Sequence, residues 1–72
     1  MPHSKELTRG IAEALVIHAR GHIAKYEAEV SILLGNPAGV GAHDNVLGTI
    51  MDNLEDIARY EEHIRVLEER FL

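Results

Sequence analysis

The chain has 72 residues, no cysteine, 46% hydrophobic and 4% aromatic content, and a formal net charge of −5. One domain at most fits this length, and disulfides and thiolate metal sites are excluded. The charge is uneven: residues 1–43 balance Lys5, Arg9, Arg20 and Lys25 against four glutamates, and residues 44–72 carry the whole excess of acid. No basic face for nucleic acid is visible. No apolar run approaches the roughly 20 residues of a membrane span. Met1-Pro2-His3-Ser4-Lys5-Glu6 has no apolar core of a signal peptide, so a cytoplasmic location is expected.

The first helix is expected over residues 4–34. Ser4 can cap it, and Glu6 favours the positive end of the helix dipole. Leu7, Ile11, Leu15, His18, His22, Tyr26, Val30 and Leu33 recur at spacings of three and four, the period of one helix face. A second line of Gly10, Ala14, Ile17, Gly21, Ala24, Ala28 and Ile32 consists mostly of small residues. Small residues at helical spacing let two backbones approach closely, and a helix apolar around more than half its girth needs cover on several sides. One cover is the second helix. The other is expected to be a second molecule, with Gly10, Ala14, Ile17, Gly21, Ala24 and Ala28 as the interface.

Residues 35–43 are the turn. They contain three of the six glycines and Pro37. Gly35 is expected as a left-handed helix terminator, with Pro37 blocking resumption. Gly-Asn-Pro-Ala-Gly-Val-Gly-Ala-His is not a phosphate loop: Ala42-His43 stands where Lys-Ser or Lys-Thr is needed, and a helix precedes it where a dinucleotide fingerprint needs a strand. Asn36, Pro37, Gly39, Val40 and Gly41 read instead as a shaped turn that sets the hairpin's register and offers a contact surface.

The second helix is expected over residues 44–72. Its stripe is Leu47, Ile50, Leu54, Ile57, Glu61, Ile64, Leu67 and Phe71, close to a heptad. Glu55–Arg59 and Glu61–Arg65 are spaced for exposed ion pairs. Glu61 is an acid where this stripe wants an apolar side chain. If the hairpin folds about Gly39, His18 falls opposite Glu61. His18 and His22, four residues apart, can present two imidazoles to one metal ion, and Glu61 would be the third ligand. The competing reading is a buried polar layer of His18, Glu61 and Tyr26 that fixes register without metal. No Glu-x-x-His motif of a di-iron bundle is present. Ser4, Ser31 and Thr49 lack a base and orienter, so no enzymatic role is expected.

Three segments carry a family resemblance: Ala-Arg-Gly-His-Ile-Ala-Lys (19–25), the Asn-Pro-Ala-Gly-Val-Gly-x-His turn (36–43), and Leu-Glu-Glu-Arg-Phe (67–71). The run from Gly21 to Phe71 resembles small uncharacterised proteins of tailed marine phages and marine metagenomes. Where that group carries an acid before the turn's histidine, this chain has Ala42. The resemblance implies helical hairpins without an assigned activity and supplies no catalytic residue.

Taken together, the residues predict an all-α antiparallel two-helix hairpin that dimerises into a four-helix bundle. The expected role is a non-enzymatic structural or protein-interaction module, with a phage accessory role implied by the resemblance. A metal-binding bundle using His18, His22 and Glu61 is the alternative. No organic cofactor is expected. The partners expected are further copies of the chain or another protein, with no nucleic acid and no membrane.

Overall fold

The computed structural model describes residues 2–36 and 44–72. Two helices and no strand make up the described residues: α1, Pro2–Leu34, and α2, Asp44–Arg70. They form a hairpin 58 Å long and 14 Å across in both other directions. No helix among the described residues is long and apolar enough to cross a membrane.

Proline at the first position of α1 is compatible with its start, because that amide has no intrahelical partner to lose. The helix ends at Leu34, as the Gly-Asn-Pro sequence predicts. Gly35 is not the left-handed terminator expected: no described glycine has a positive φ. Its amide instead donates to the Ser31 carbonyl at 3.0 Å, and Asn36 N–H donates to the Leu33 carbonyl at 3.3 Å. The last turn therefore tightens to an i→i−3 bond, which satisfies a terminal carbonyl without a left-handed residue. The expected roles of Pro37, Gly39, Val40 and Gly41 fall on residues outside those described.

The core runs between the helices as one narrow line. Val16, Ala19 and Ile64 are buried together, with Ile23, Tyr60 and Leu67 packed against them. Ala12, Val30 and Ile50 extend the buried line along the rod. On α1 this contact line runs through Ala12, Val16, Ala19 and Ile23, not through Leu7, Ile11 and Leu15, which are 48–64% exposed. The expected stripe and the observed one merge from His22 onward, at His22, Tyr26, Val30 and Leu33. The reason is steric. Alanine at the point of closest approach lets the helix axes come together, and the bulkier leucines are displaced to the flank.

On α2 the same correction holds. Ile50, Asn53, Ile57, Tyr60, Ile64 and Leu67 are buried or half-buried, whereas Leu47, Leu54 and Glu61 are exposed. Asn53 and Tyr60 thus take the places assigned by sequence to Leu54 and Glu61. Glu61 is not an acid in the core. Asn53 is the polar core residue instead, 6% exposed and with its amide nitrogen Nδ2 lacking a hydrogen-bond partner.

The charged pairs also differ from those expected. Arg59 meets Asp56 at 3.2 Å, and Arg65 pairs with Glu62 and, at 2.8 Å, with Glu69. Arg20 reaches across to Glu68 at 3.5 Å. All involve exposed arginines, where solvent screening leaves ion pairs little weight in stability.

Candidate functional site

The chain has three aromatic residues and five histidines, and five of those eight rings gather midway along the hairpin. His18, His22 and Tyr26 follow one another at i,i+4 on α1, so one helix face stacks them a turn apart. Tyr60 and His63 rise from α2 at i,i+3. The His22 and Tyr60 rings lie nearly parallel, with centroids 4.8 Å apart and planes 4° from each other. Tyr26 flanks both, at 6.1 Å from His22 and 6.4 Å from Tyr60. His18 meets His22 edge-on at 4.4 Å, and His63 meets Tyr60 edge-on at 5.6 Å.

Such ring pairs contribute about 0.5–1.5 kcal/mol each beyond the area they bury. Two cations border the stack: Lys25 Nζ lies 5.0 Å from the Tyr26 centroid and Arg59 Cζ 5.2 Å from that of Tyr60. The stack leaves one polar atom unmet. Nδ1 of His22 is buried and has no hydrogen-bond partner.

Two grooves run along the seam between the helices. One, of about 300 Å³, is bordered by Leu15, His18, Tyr60, His63, Val66 and Leu67. The other, of about 540 Å³, is bordered by Arg20, Ile23, Glu27, Glu61, Ile64 and Glu68. His18 and Glu61 therefore border different grooves, and the side chain facing His18 across the seam is Tyr60, at 6.4 Å between rings. The expected juxtaposition of His18 with Glu61 is not formed. Nor is the polar layer of His18, Glu61 and Tyr26. The physical cause is the one-residue phase of α2: placing Tyr60 inward rotates Glu61 about 100° away. Among the described residues, no group of three or more His, Asp or Glu side chains is positioned to hold a metal ion.

The proposed interface residues lie where a second molecule can reach them. Gly10, Ala14, Ile17, Gly21, Ala24 and Ala28 are all exposed. A Cβ built at Gly10 or Gly21 would meet nothing within 4 Å. The packing of α2 on α1 thus places no demand for glycine at either position, although each costs about 1 kcal/mol against alanine within a helix.

Tyr60 and His63 are the members of the ring cluster that sequence reasoning missed. Their signal was present: Tyr60 lies three residues after Ile57 and four before Ile64, an inward position once Leu54 is released from the stripe. No protein-family model, curated protein or solved structure matches the chain.

Proposed function

We propose that the chain is a non-enzymatic structural and protein-interaction module whose hairpins pair through the outer face of α1 into a four-helix bundle. The observation that carries this is surface area. The chain exposes 5387 Å², whereas a folded monomer of 8.0 kDa is expected to expose roughly 4,500 Å². The excess of about 900 Å² is close to the ~800 Å² that each partner buries in an interface of standard size. A rod two helices thick cannot enclose its apolar side chains. Leu7, Ile11, Ile17 and Ile32 on α1 and Leu47, Met51 and Leu54 on α2 stand 48–72% exposed. Large apolar side chains left outside in such number mark an association surface.

The small-residue line of α1 is the natural seam for a second copy. Gly10 and Gly21 face open space, so a neighbouring helix can approach to backbone contact there. The acidic outer surface of α2 remains outside that seam, available to a further protein. The resemblance to marine-phage hairpins supports an accessory role in a host cytoplasm.

Sedimentation at micromolar concentration tests the reading. A dimer or higher oligomer is expected, and a compact, well-folded monomer overturns it. Gly21→Leu is expected to abolish association by inserting bulk where backbones meet. A Gly21→Leu variant that assembles and melts like the parent removes the outer face of α1 as the seam.

A further inference from the structure

We propose that His18 and His22 form a two-imidazole site for a divalent transition-metal ion of the Zn²⁺, Cu²⁺ or Ni²⁺ class, without Glu61. The site needs only one chain; it opens beside Ile17 and Gly21, two residues of the proposed pairing seam, so it is a site of the unpaired hairpin and pairing is expected to weaken it. The spacing of four residues puts both rings on one face of α1, one turn apart, and their centroids are 4.4 Å from each other. A metal held at about 2.0–2.1 Å by one nitrogen of each ring needs those two nitrogens roughly 3 Å apart. The two rings already touch edge-on, and a turn of the exposed His18 side chain is the movement the site requires.

His22 also carries the unmet atom of the cluster. Its Nδ1 is buried with no partner, a condition that costs about 1–3 kcal/mol. The Tyr60 ring, parallel at 4.8 Å, fixes the plane of His22. One ligand is thereby pre-positioned, and His18, exposed at the rim, is free to turn toward it. The pair opens onto a shallow depression bordered by Ile17, Gly21 and Lys25. The lack of a side chain at Gly21 leaves room for water on the open coordination positions. Lys25 is the adverse charge there, and its ammonium is drawn over the Tyr26 ring.

The donor set decides the class of ion. Two neutral imidazoles with no carboxylate suit Zn²⁺, Cu²⁺ and Ni²⁺ and do not suit Mg²⁺ or Ca²⁺, which require oxygen ligands. Chelation across one turn of a helix also ties that turn together, so bound metal raises the stability of α1.

The test is calorimetric titration of the full chain with Zn²⁺ and Ni²⁺, paired with thermal melts followed by circular dichroism. One ion per chain and a metal-dependent rise in melting temperature are expected, with no response to Mg²⁺. His18→Ala removes an exposed ring, so the fold is retained, and it is expected to weaken binding by about tenfold or more and to cancel the rise. His22→Ala should do the same. Glu61→Gln and His63→Ala should leave both readouts unchanged. Absence of saturable binding, retention of affinity in His18→Ala, or an equal loss in Glu61→Gln each overturns the two-histidine site.

Discussion

The inner and outer faces of α1 are built from similar material and have different fates. The inner line carries Ala12, Val16, Ala19 and Ile23, and α2 covers it. The outer line carries Gly10, Ala14, Ile17, Gly21, Ala24 and Ala28, and it lies open. Both lines have the small residues that close helix packing uses. The difference teaches that composition marks a surface as fit for packing, while the phase of the partner decides which surface is filled. In α1 the alanines set the intramolecular approach, and Gly10 and Gly21 are left facing open space.

Substitutions that treat the two faces alike should have unlike results. The largest effect is expected from Ile64→Ala, which empties the centre of the inner seam beside Val16 and Ala19. A loss of about 2–4 kcal/mol is expected, a large share of the stability of so thin a core, read from urea unfolding. Ala19→Leu forces bulk into a position 2% exposed and should cost about 1–3 kcal/mol at any protein concentration. Gly21→Leu meets no atom within the chain and substitutes a better helix former, by about 0.8 kcal/mol. It should therefore lose stability only through lost association, visible as a melting temperature that no longer depends on concentration. If Ala19→Leu and Gly21→Leu respond identically, the distinction between the faces is false.

Asn53→Leu probes the inner seam from α2. It replaces a buried amide whose Nδ2 has no partner with an apolar side chain of similar size, and a gain of about 1 kcal/mol is expected by urea unfolding. A loss of stability would mean that the amide is satisfied in solution.

The smallest effect concerns the exposed face of α2. The hydrogen bond from Arg65 holds the Glu62 carboxyl below its ordinary value of 4.5. A depressed carboxylate stabilises the folded chain above its unfolded pKa, and that contribution is lost as pH falls through the folded value. Helicity should therefore decline on the acid side of 4.5 in the parent and decline less in Glu62→Gln, followed by circular dichroism across that range.

Much of the architecture was legible. The end of α1 at Leu34 follows from the Gly-Asn-Pro break after it. The phase of each helix was not. Leucines dominate a periodicity count, so Leu7, Ile11 and Leu15 were favoured for the seam, yet helices in close approach select Ala12 and Ala19 at the contact. Because α1 is apolar around most of its girth, several phases satisfy its pattern equally. On α2, admitting Leu54 to the stripe forced Glu61 inward and created an anomaly; admitting Asn53 and Tyr60 removes it. The candidate site divides in the same way. The pairing of His18 with His22 depends only on spacing within one helix and was readable. The meeting of those rings with Tyr60 and His63 depends on register between two helices, and local pattern does not carry that.

The ring cluster makes the molecule its own reporter. The chain has two tyrosines and no tryptophan, and both tyrosines sit in the cluster where the helices meet. Intrinsic fluorescence and near-ultraviolet dichroism therefore come almost entirely from that contact. In proton magnetic resonance, the Tyr60 ring stacked on His22 should displace the imidazole resonances upfield through its ring current. Separation of the helices, loss of the stack or arrival of an ion at His22 can each be followed without a label, at a place where the chain has all its strong chromophores.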